Sequence, residues 1–550
     1  MNSIENIQQA FVTHIQTLFS VIAIDENHMR LHLNIDEDRQ EFGNLTANIA
    51  MILAKVLKKA PRVVAQEIVS SFSHPLIERM DIAGPGFINI YLTDKAFVRL
   101  AQELCEQGET FFKPDVVNPR YNISLEFVSA NPTGPLHFGH GRGAIIGDVL
   151  ANVLRFMGHT VTKEFYINDA GNQIQKLGES FKIRCQQAAG IQAELPEDGY
   201  HGEYLLELAQ DCFAELGHTV FEKPDSFFAQ YAKDALLQQI RDTLSDYGIH
   251  YDVWFSEKIL HHNGSIEKAL AVLQQKKLLY EADGALWFAT TTFGDDKDRV
   301  VRKATGEYTY IAADIAYFAN KIERGANNLM FVLGYDHHSY AARLNAVKQA
   351  LGFTECPLEV ILYQLVKITE DGQLMRMSKR AGVMITLQDI INTVGVDVAR
   401  FFYLNRKADA QLEFDIELAL KKTEENPVYY VQYAYVRTGS IIAKADQDER
   451  LRDITAADAQ FIGKQEALLL KKIIFLEQLL HDISLNQQTH LLTYYVLELA
   501  QLFHRYYSHV RVIDLEDINK TRGRLLIVTL TRNTIAFVLE LLGISRPEKM

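Results

Sequence analysis

Only four cysteines are spread over 550 residues, Cys105, Cys185, Cys212 and Cys356, and they stand far apart. Such spacing provides neither a disulfide framework nor a Cys-x-x-Cys zinc site, so they read as ordinary thiols. No run of about 18 uncharged apolar residues occurs, and no membrane span is expected. Near the start, Ile4, Ile7, Phe11, Ile15 and Phe19 recur at helical spacing but are interrupted by Glu5, Gln8, Gln9 and His14. That is an amphipathic helix and lacks the continuous apolar stretch of a signal peptide, so a cytoplasmic location is expected. Excess positive charge is also missing: the net charge is −14, which disfavours nonspecific binding along a polyanion. Neither a biased tract nor a solenoid repeat is present, so most of the chain should fold into ordinary domains.

The length implies about three to five domains, too much for a single small binding module. Charge reverses locally from Gln501 to Met550, where eight basic residues face five acidic ones. On charge alone this is a solvated helix surface.

Periodicity predicts a multidomain α/β protein. Residues 1–114 read as an N-terminal α+β domain, helices followed by a turn at Ala83-Gly84-Pro85-Gly86 and a strand over Phe87 to Leu92. Residues 115–424 read as a doubly wound parallel-sheet domain. In it, Tyr121 to Val128 alternates as a strand, Ala144 to Phe156 marks a helix, and Thr160 to Ile167 gives the next strand. Leu329 to Leu333, Tyr340 to Leu351 and Leu358 to Leu365 repeat that order. About 173–304 is helix-rich and too long for a loop, so it is taken as a connective insertion. Residues 425–550 are almost wholly helical and read as an all-α bundle.

The chemistry concentrates in His137-Phe138-Gly139-His140, between a predicted strand and a predicted helix. Two imidazoles at a helix N-terminus can donate to phosphate oxygens where the dipole and free amides already favour negative charge, and Gly139 lets the backbone approach a nucleotide. The bland alternative is two surface histidines beside a turn. A second element, Arg376-Met377-Ser378-Lys379-Arg380 followed by Ala381-Gly382, offers a compact cation, Lys379, on a small flexible loop. By itself it is a basic turn.

Together, in this order, the two segments resemble the HIGH and KMSKS signatures of the class I aminoacyl-tRNA synthetases. The longer wording from Leu125 to His140, with Ile167 to Gln173 and the terminal Leu542-Gly543-Ile544-Ser545-Arg546-Pro547-Glu548, is similar to the arginyl-tRNA synthetase family over essentially the whole chain. One departure is Arg376, which stands where the signature has its first lysine and differs from it in shape and hydrogen bonding. The resemblance implies catalytic roles for His137, His140, Arg376, Ser378 and Lys379, and ATP contacts from Gly134, His137, Gly139, His140, Met377 and Lys379. It implies ATP with Mg2+, L-arginine and the tRNA specific for arginine as substrates, no protein-ligated metal, and a monomer. It also implies adenylate formation that needs tRNA, first attachment at the 2′-hydroxyl, an N-terminal domain on the tRNA elbow and an anticodon-binding bundle with Tyr429, Tyr430, Tyr433, Tyr435 and Arg437.

A guanidinium needs carboxylates, because its planar fork fits their paired oxygens. The resemblance assigns arginine recognition to Glu126, Asn131, Tyr310 and Asp314. The last two are four apart and share a helical face. Asp336 and His337 are possible pocket residues beside a predicted strand, although adjacent histidines are poor grounds for a metal. His261-His262 reads as surface. Such a polar pocket rejects side chains lacking the guanidinium, so no editing domain is expected. Two other readings stay open: another class I synthetase or small HxGH nucleotidyltransferase, and a catalytically silent RNA-binding paralogue.

Overall fold

The computed structural model describes residues 2–20, 26–35, 41–114, 119–370, 372–374 and 385–550. The N-terminal domain carries strands β1 (His32–Leu33), β2 (Leu45–Ala47), β3 (Ile77–Ala83) and β4 (Phe87–Leu92) in one antiparallel sheet ordered β1-β2-β4-β3. The β3–β4 hairpin turns at the predicted Ala-Gly-Pro-Gly. Helices Ser3–Leu18, Ile49–Leu57 and Pro61–Ser71 pack on it around a core of its own that includes Ile7, Phe11, Leu53, Ile68 and Ile90.

The sheet of the central domain is β5 (Asn122–Phe127), β6 (Thr160–Ile167), β7 (Val253–Ser256), then, after the antiparallel β8 (Leu279–Ala282), β9 (Ala285–Phe288) and β10 (Arg299–Arg302), β11 (Asn328–Gly334) and β12 (Leu358–Tyr363). Its order is β12-β11-β5-β6-β7, all parallel. The chain winds outward from β5 to β7 and restarts beside β5 at β11, so the switch point, where a doubly wound sheet opens a crevice for ligand, lies between β5 and β11. Both predicted β-α-β units are present, with helices His140–Phe156 and His338–Leu351.

The expected insertion needs one correction. Helices Asn172–Ala188, Glu203–Leu216 and Asp225–Asp246 do leave the sheet with a core of their own, but β7 returns to pair with β6 along Glu164 to Ile167, so 173–304 is not one excursion. A four-residue strand, Val-Trp-Phe-Ser, is too short to carry a period-two signal that can be read from sequence. Cys185 and Cys212, distant in sequence, meet inside that helical core, where burial pushes both thiols up, Cys185 to about 12. They are protonated and inert as nucleophiles.

A third sheet, β13 (Val366–Glu370), β14 (Gln373–Leu374) and β15 (Leu412–Asp415), leads to the bundle of helices Pro427–Ala445, Lys464–Asn486, His490–His509 and Ile518–Leu542. Helix Ile518–Leu542 is long and apolar enough to cross a membrane, but 72% of its most apolar window is buried among its neighbours. Central domain and bundle share one continuous core. The terminal segment fastens them: Arg400 donates to the carbonyls of Leu542 and Tyr247, both at 2.7 Å, and to Asp148 Oδ2 at 2.6 Å, while Asn152 donates to the Leu541 carbonyl at 3.1 Å. Gly543 sits at φ +66°, and a Cβ there would lie 2.4 Å from the Arg400 guanidinium. The basic C-terminal stretch is therefore not a simple solvated face. Arg522 binds Asp458, and Arg532 crosses the Tyr435 ring to reach Glu548.

The N-terminal domain is latched to the bundle by polar contacts. Arg30 pairs with Asp482 at 2.8 Å, and Asn2 donates to Glu477 Oε2 at 2.9 Å. Burial, aided by Glu5, lifts the Glu477 carboxyl to about 7 against the opposing effects of Asn2 and Arg30. A carboxyl raised on folding favours the folded state below its unfolded value, and this is lost as pH rises through the folded value. Glu477→Gln is expected to leave stability at pH 4 nearly unchanged and to raise it by about 3 kcal/mol at pH 8.5. Parallel thermal melts at the two pH values check this, and an equal slope in both proteins would refute it.

Candidate active site

The chain leaves β5 in a sharp turn in which Val128 and Ser129 both take positive φ, 68° and 41°. For a β-branched residue this is strained, at about 1–3 kcal/mol, and the surroundings must hold it. They do: Ser129 Oγ donates to Glu126 Oε1 at 3.0 Å and accepts from the Tyr166 amide at 3.1 Å, tying the end of β5 to β6. The following turn, Asn131 to Pro135, is backed by the insertion, whose Tyr204 hydroxyl donates to the Thr133 carbonyl at 2.7 Å and lies 3.1 Å from where a Cβ on Gly134 would stand.

His137 and His140 stack at the N-terminus of helix His140–Phe156, ring centroids 3.6 Å apart. The His140 Nδ1 accepts from the His137 amide at 3.2 Å, and the His137 Nδ1 accepts from the Gly139 amide at 3.1 Å. Both ring protons are thereby assigned to Nε2, which makes each ring an Nε2–H donor. Burial, then the neighbouring His137, lowers the His140 pKa to about 3, so it acts as a neutral imidazole at physiological pH. Gly139 is required because a Cβ would meet the His137 ring at 3.0 Å. Gly141, Gly143 and Gly147 let the helix lie directly on Tyr403, Tyr363 and Phe127. Buried Arg142 binds the carbonyls of Gln364, Lys407 and Ala410 at 2.7 to 2.9 Å, which anchors the loops around the site.

Arg376, Met377, Ser378, Lys379 and Arg380 lie outside the described residues. The chain immediately after them is bound to the first signature: His137 and Thr386 form an antiparallel bridge, Phe138 donates to the Ile385 carbonyl at 3.2 Å, and Leu387 donates to that of Leu136 at 2.7 Å.

Beside this turn is an acidic recess. Glu126, 8% exposed, has Oε2 3.0 Å from Lys321 Nζ. Lys321 also binds Glu164, which is fully buried, receives Arg324, and accepts from the hydroxyls of Tyr317 at 2.9 Å and Ser124 at 3.0 Å. Burial alone would raise the Glu164 pKa, but Lys321 and then Arg324 hold it at about 2. Asp314 Oδ1 accepts from the Tyr340 hydroxyl at 2.9 Å. Burial pushes its pKa up to about 7, against Tyr340 and Arg343 and with Glu257 and Glu126 adding to the rise. Glu257, 4% exposed, is bonded by Tyr166 and by His261 at 3.3 Å. Asp169 accepts from Ser256 at 2.8 and 2.9 Å and closes the floor of this side.

Of the arginine-pocket residues expected from sequence, Glu126 and Asp314 are brought within electrostatic reach of one another. Tyr310 begins helix Tyr310–Glu323 and is 59% exposed, and Asn131 is exposed on the turn. Asp336 and His337 stand on the carboxyl end of β11, exposed and 3.6 Å from each other. Sequence reasoning missed Tyr166, Glu164, Glu257, Tyr317, Lys321 and Tyr340. One signal was available: Asp314, Tyr317 and Lys321 follow at i, i+3 and i+7 on the buried face of an otherwise apolar helix. His261, read as surface, is exposed and also lies 3.3 Å from Glu257.

On the bundle, Tyr429 and Tyr433 stack with centroids 6.4 Å apart, and the Arg437 guanidinium lies 4.5 Å from the Tyr433 ring and 5.0 Å from that of Tyr507, itself 39% exposed. His504 stacks on Tyr433 at 5.7 Å. Tyr435, expected among these rings, is 7% exposed and covered by Arg532.

The chain matches three family models along its length: an arginyl tRNA synthetase N terminal domain over 5–92, the catalytic domain of tRNA synthetases class I (R) over 110–410, and a DALR anticodon binding domain over 431–550. It is 42% identical to the arginine–tRNA ligase of Bacillus subtilis over 92% of both chains, and 39% identical to that of Anoxybacillus flavithermus over the full length of both. Its fold matches the arginyl-tRNA synthetase structure from Thermus thermophilus with a TM-score of 0.76 over 100% of each chain, at 21% identity. The chain belongs to the arginyl-tRNA synthetase family of class I, and its activity is the ligation of arginine to tRNA.

Proposed function

We infer that the crevice at the carboxyl ends of β5 and β11 makes arginyl-adenylate from ATP and L-arginine and passes the arginyl group to the tRNA specific for arginine. The observation that carries this reading is the pair of Nε2–H imidazole donors at a helix N-terminus, reached by the turn from the strand end where Glu126 is bonded to Ser129 and acts on Asp314. An arginine carboxylate oxygen attacks the α-phosphorus of ATP and the bond to pyrophosphate breaks. The terminal ribose hydroxyl then attacks the carbonyl and AMP leaves. His137 and His140 donate to phosphate oxygens, with the dipole of helix His140–Phe156 behind them. Gly134 and Gly139 let ATP approach the backbone, and Lys379, with Arg376, Met377 and Ser378, covers the phosphates from the second signature.

Asp314 receives the guanidinium, with Glu126, Asn131 and Tyr310 completing the arginine site and Asp336 and His337 at its nucleotide side. Mg2+ accompanies ATP, neutralising its phosphates. Among the described residues no group of three His, Cys, Asp or Glu side chains is placed to hold a metal. Residues 1–114 take the tRNA elbow, 115–424 the chemistry and 425–550 the anticodon. In that last region Tyr429, Tyr433, Arg437 and Tyr507 offer stacking surfaces for unpaired bases, each worth about 1–3 kcal/mol. The protein works as a cytoplasmic monomer.

Arginine-dependent ATP–pyrophosphate exchange, with and without tRNA and with lysine, ornithine and glutamine as competitors, tests this reading. Exchange with arginine and tRNA together is expected. Because a carboxylate must be ionised to hold a guanidinium, arginine affinity should fall as pH drops through about 7, where Asp314 takes up its proton. Exchange driven by another amino acid, or none at all, overturns it.

A further inference from the structure

We propose that Tyr340 is a positioning residue for amino-acid selection: its hydroxyl, donating to Asp314 Oδ1, orients the carboxylate for a planar guanidinium and favours its anionic form. The inference rests on the reading of Asp314 as the guanidinium partner. The two recess carboxylates assigned to the arginine site, Glu126 and Asp314, are not equivalent. Glu126 already has Lys321 at 3.0 Å and Ser129 at 3.0 Å, so its charge is matched from within the protein. Among the described residues no lysine, arginine or histidine forms an ion pair with Asp314, and the Tyr340 hydroxyl at 2.9 Å is its hydrogen-bond donor. Of these two, Asp314 is the carboxylate without an ion-pair partner among the described residues.

Tyr340 reaches it from helix His338–Leu351, across from helix Tyr310–Glu323, and its own ring has the Arg343 guanidinium 5.5 Å away. The groups facing Asp314 are Tyr340 and Arg343 from that helix, Glu257 from the short helix Glu257–His262, Glu126 from β5 and Tyr166 from β6. Both Glu257 and Glu126 oppose ionisation of Asp314, and Tyr340 and Arg343 favour it. One hydrogen bond to Oδ1 leaves the carboxylate with lone pairs on both oxygens for the guanidinium fork, while restraining rotation of the group. A lysine ammonium gains less from that restraint, since it binds as a point charge.

Tyr340→Phe keeps the ring and removes the donor. At pH 7 the arginine KM in tRNA-dependent exchange is expected to rise roughly tenfold, the usual effect of losing a hydrogen bond to a charged group. ATP KM should be unchanged and kcat at saturating arginine held within about twofold, while the preference for arginine over lysine falls. The midpoint of the pH dependence of arginine KM should move upward, so that the defect narrows towards pH 9. An unchanged arginine KM, or a raised one with an unmoved midpoint, overturns the proposal. Asp314→Asn separates the two layers: if it leaves arginine KM unaltered the reading of Asp314 itself fails. If it raises KM and Tyr340→Phe does not, only the role of Tyr340 fails.

Discussion

Lys321→Met is expected to destabilise the protein by about 3–5 kcal/mol, because it removes the one cation shared by two buried carboxylates. The ammonium is 1% exposed and makes contact with Glu126, Glu164 and the Ser124 hydroxyl at 3.1 Å, with the Tyr317 ring 4.2 Å away. Methionine fills similar volume, so the cost is electrostatic and not a cavity. Glu164 would keep Arg324, Tyr317 and Ser124, but among the described residues Glu126 would retain only the Ser129 hydroxyl and would stand uncompensated beside Asp314. Pairing the change with Glu126→Gln should recover part of the loss, since a neutral amide no longer needs the cation. Urea unfolding of the two single variants and the double variant measures this coupling. A loss below about 1 kcal/mol for Lys321→Met would mean that water or relaxation replaces the ion pair. Because Glu164 is held at about 2, its share of stability persists down to pH 4.5 and disappears only as pH falls through about 2.

The second large effect is on rate. His137→Ala and His140→Ala should each lower the exchange kcat by about 10²–10³, the range for deleting one preorganised donor to developing charge. Arginine and tRNA affinities should change little, because the role assigned to both rings is at the phosphates. The two losses should be far from additive: each ring's backbone partner lies within the other's turn, and the rings stack at 3.6 Å. A neutral His140 also dictates a pH signature. With its pKa near 3, it contributes no limb to the rate profile between pH 5 and 8, so acid loss in that range belongs to arginine binding. A kcat limb near 6.5 that disappears in His140→Ala would contradict the neutral-donor role.

Much of this was legible in the sequence. Strands rich in β-branched and aromatic residues, such as Thr160 to Ile167, and helices bounded by turn residues appear where the sequence pattern puts them. The His-x-Gly-His segment declares itself by residue type and by its place between strand and helix. The terminal Leu542 to Glu548 wording was recognisable by resemblance, but its task was not: Gly543 makes room for Arg400, a residue 143 positions earlier whose partners include Tyr247 and Asp148.

The sequence by itself determined the order of modules, the residue types able to meet phosphates and guanidinium, and the helix that presents the two imidazoles. Only the tertiary structure decided how charge is shared among them. Glu126, Glu164 and Lys321 are 38 and 157 residues apart along the chain and meet only because β5, β6 and helix Tyr310–Glu323 pack together. Removal from water then sets which carboxylate is matched and which is held near pH 7, and desolvation belongs to the packed assembly and to no single residue.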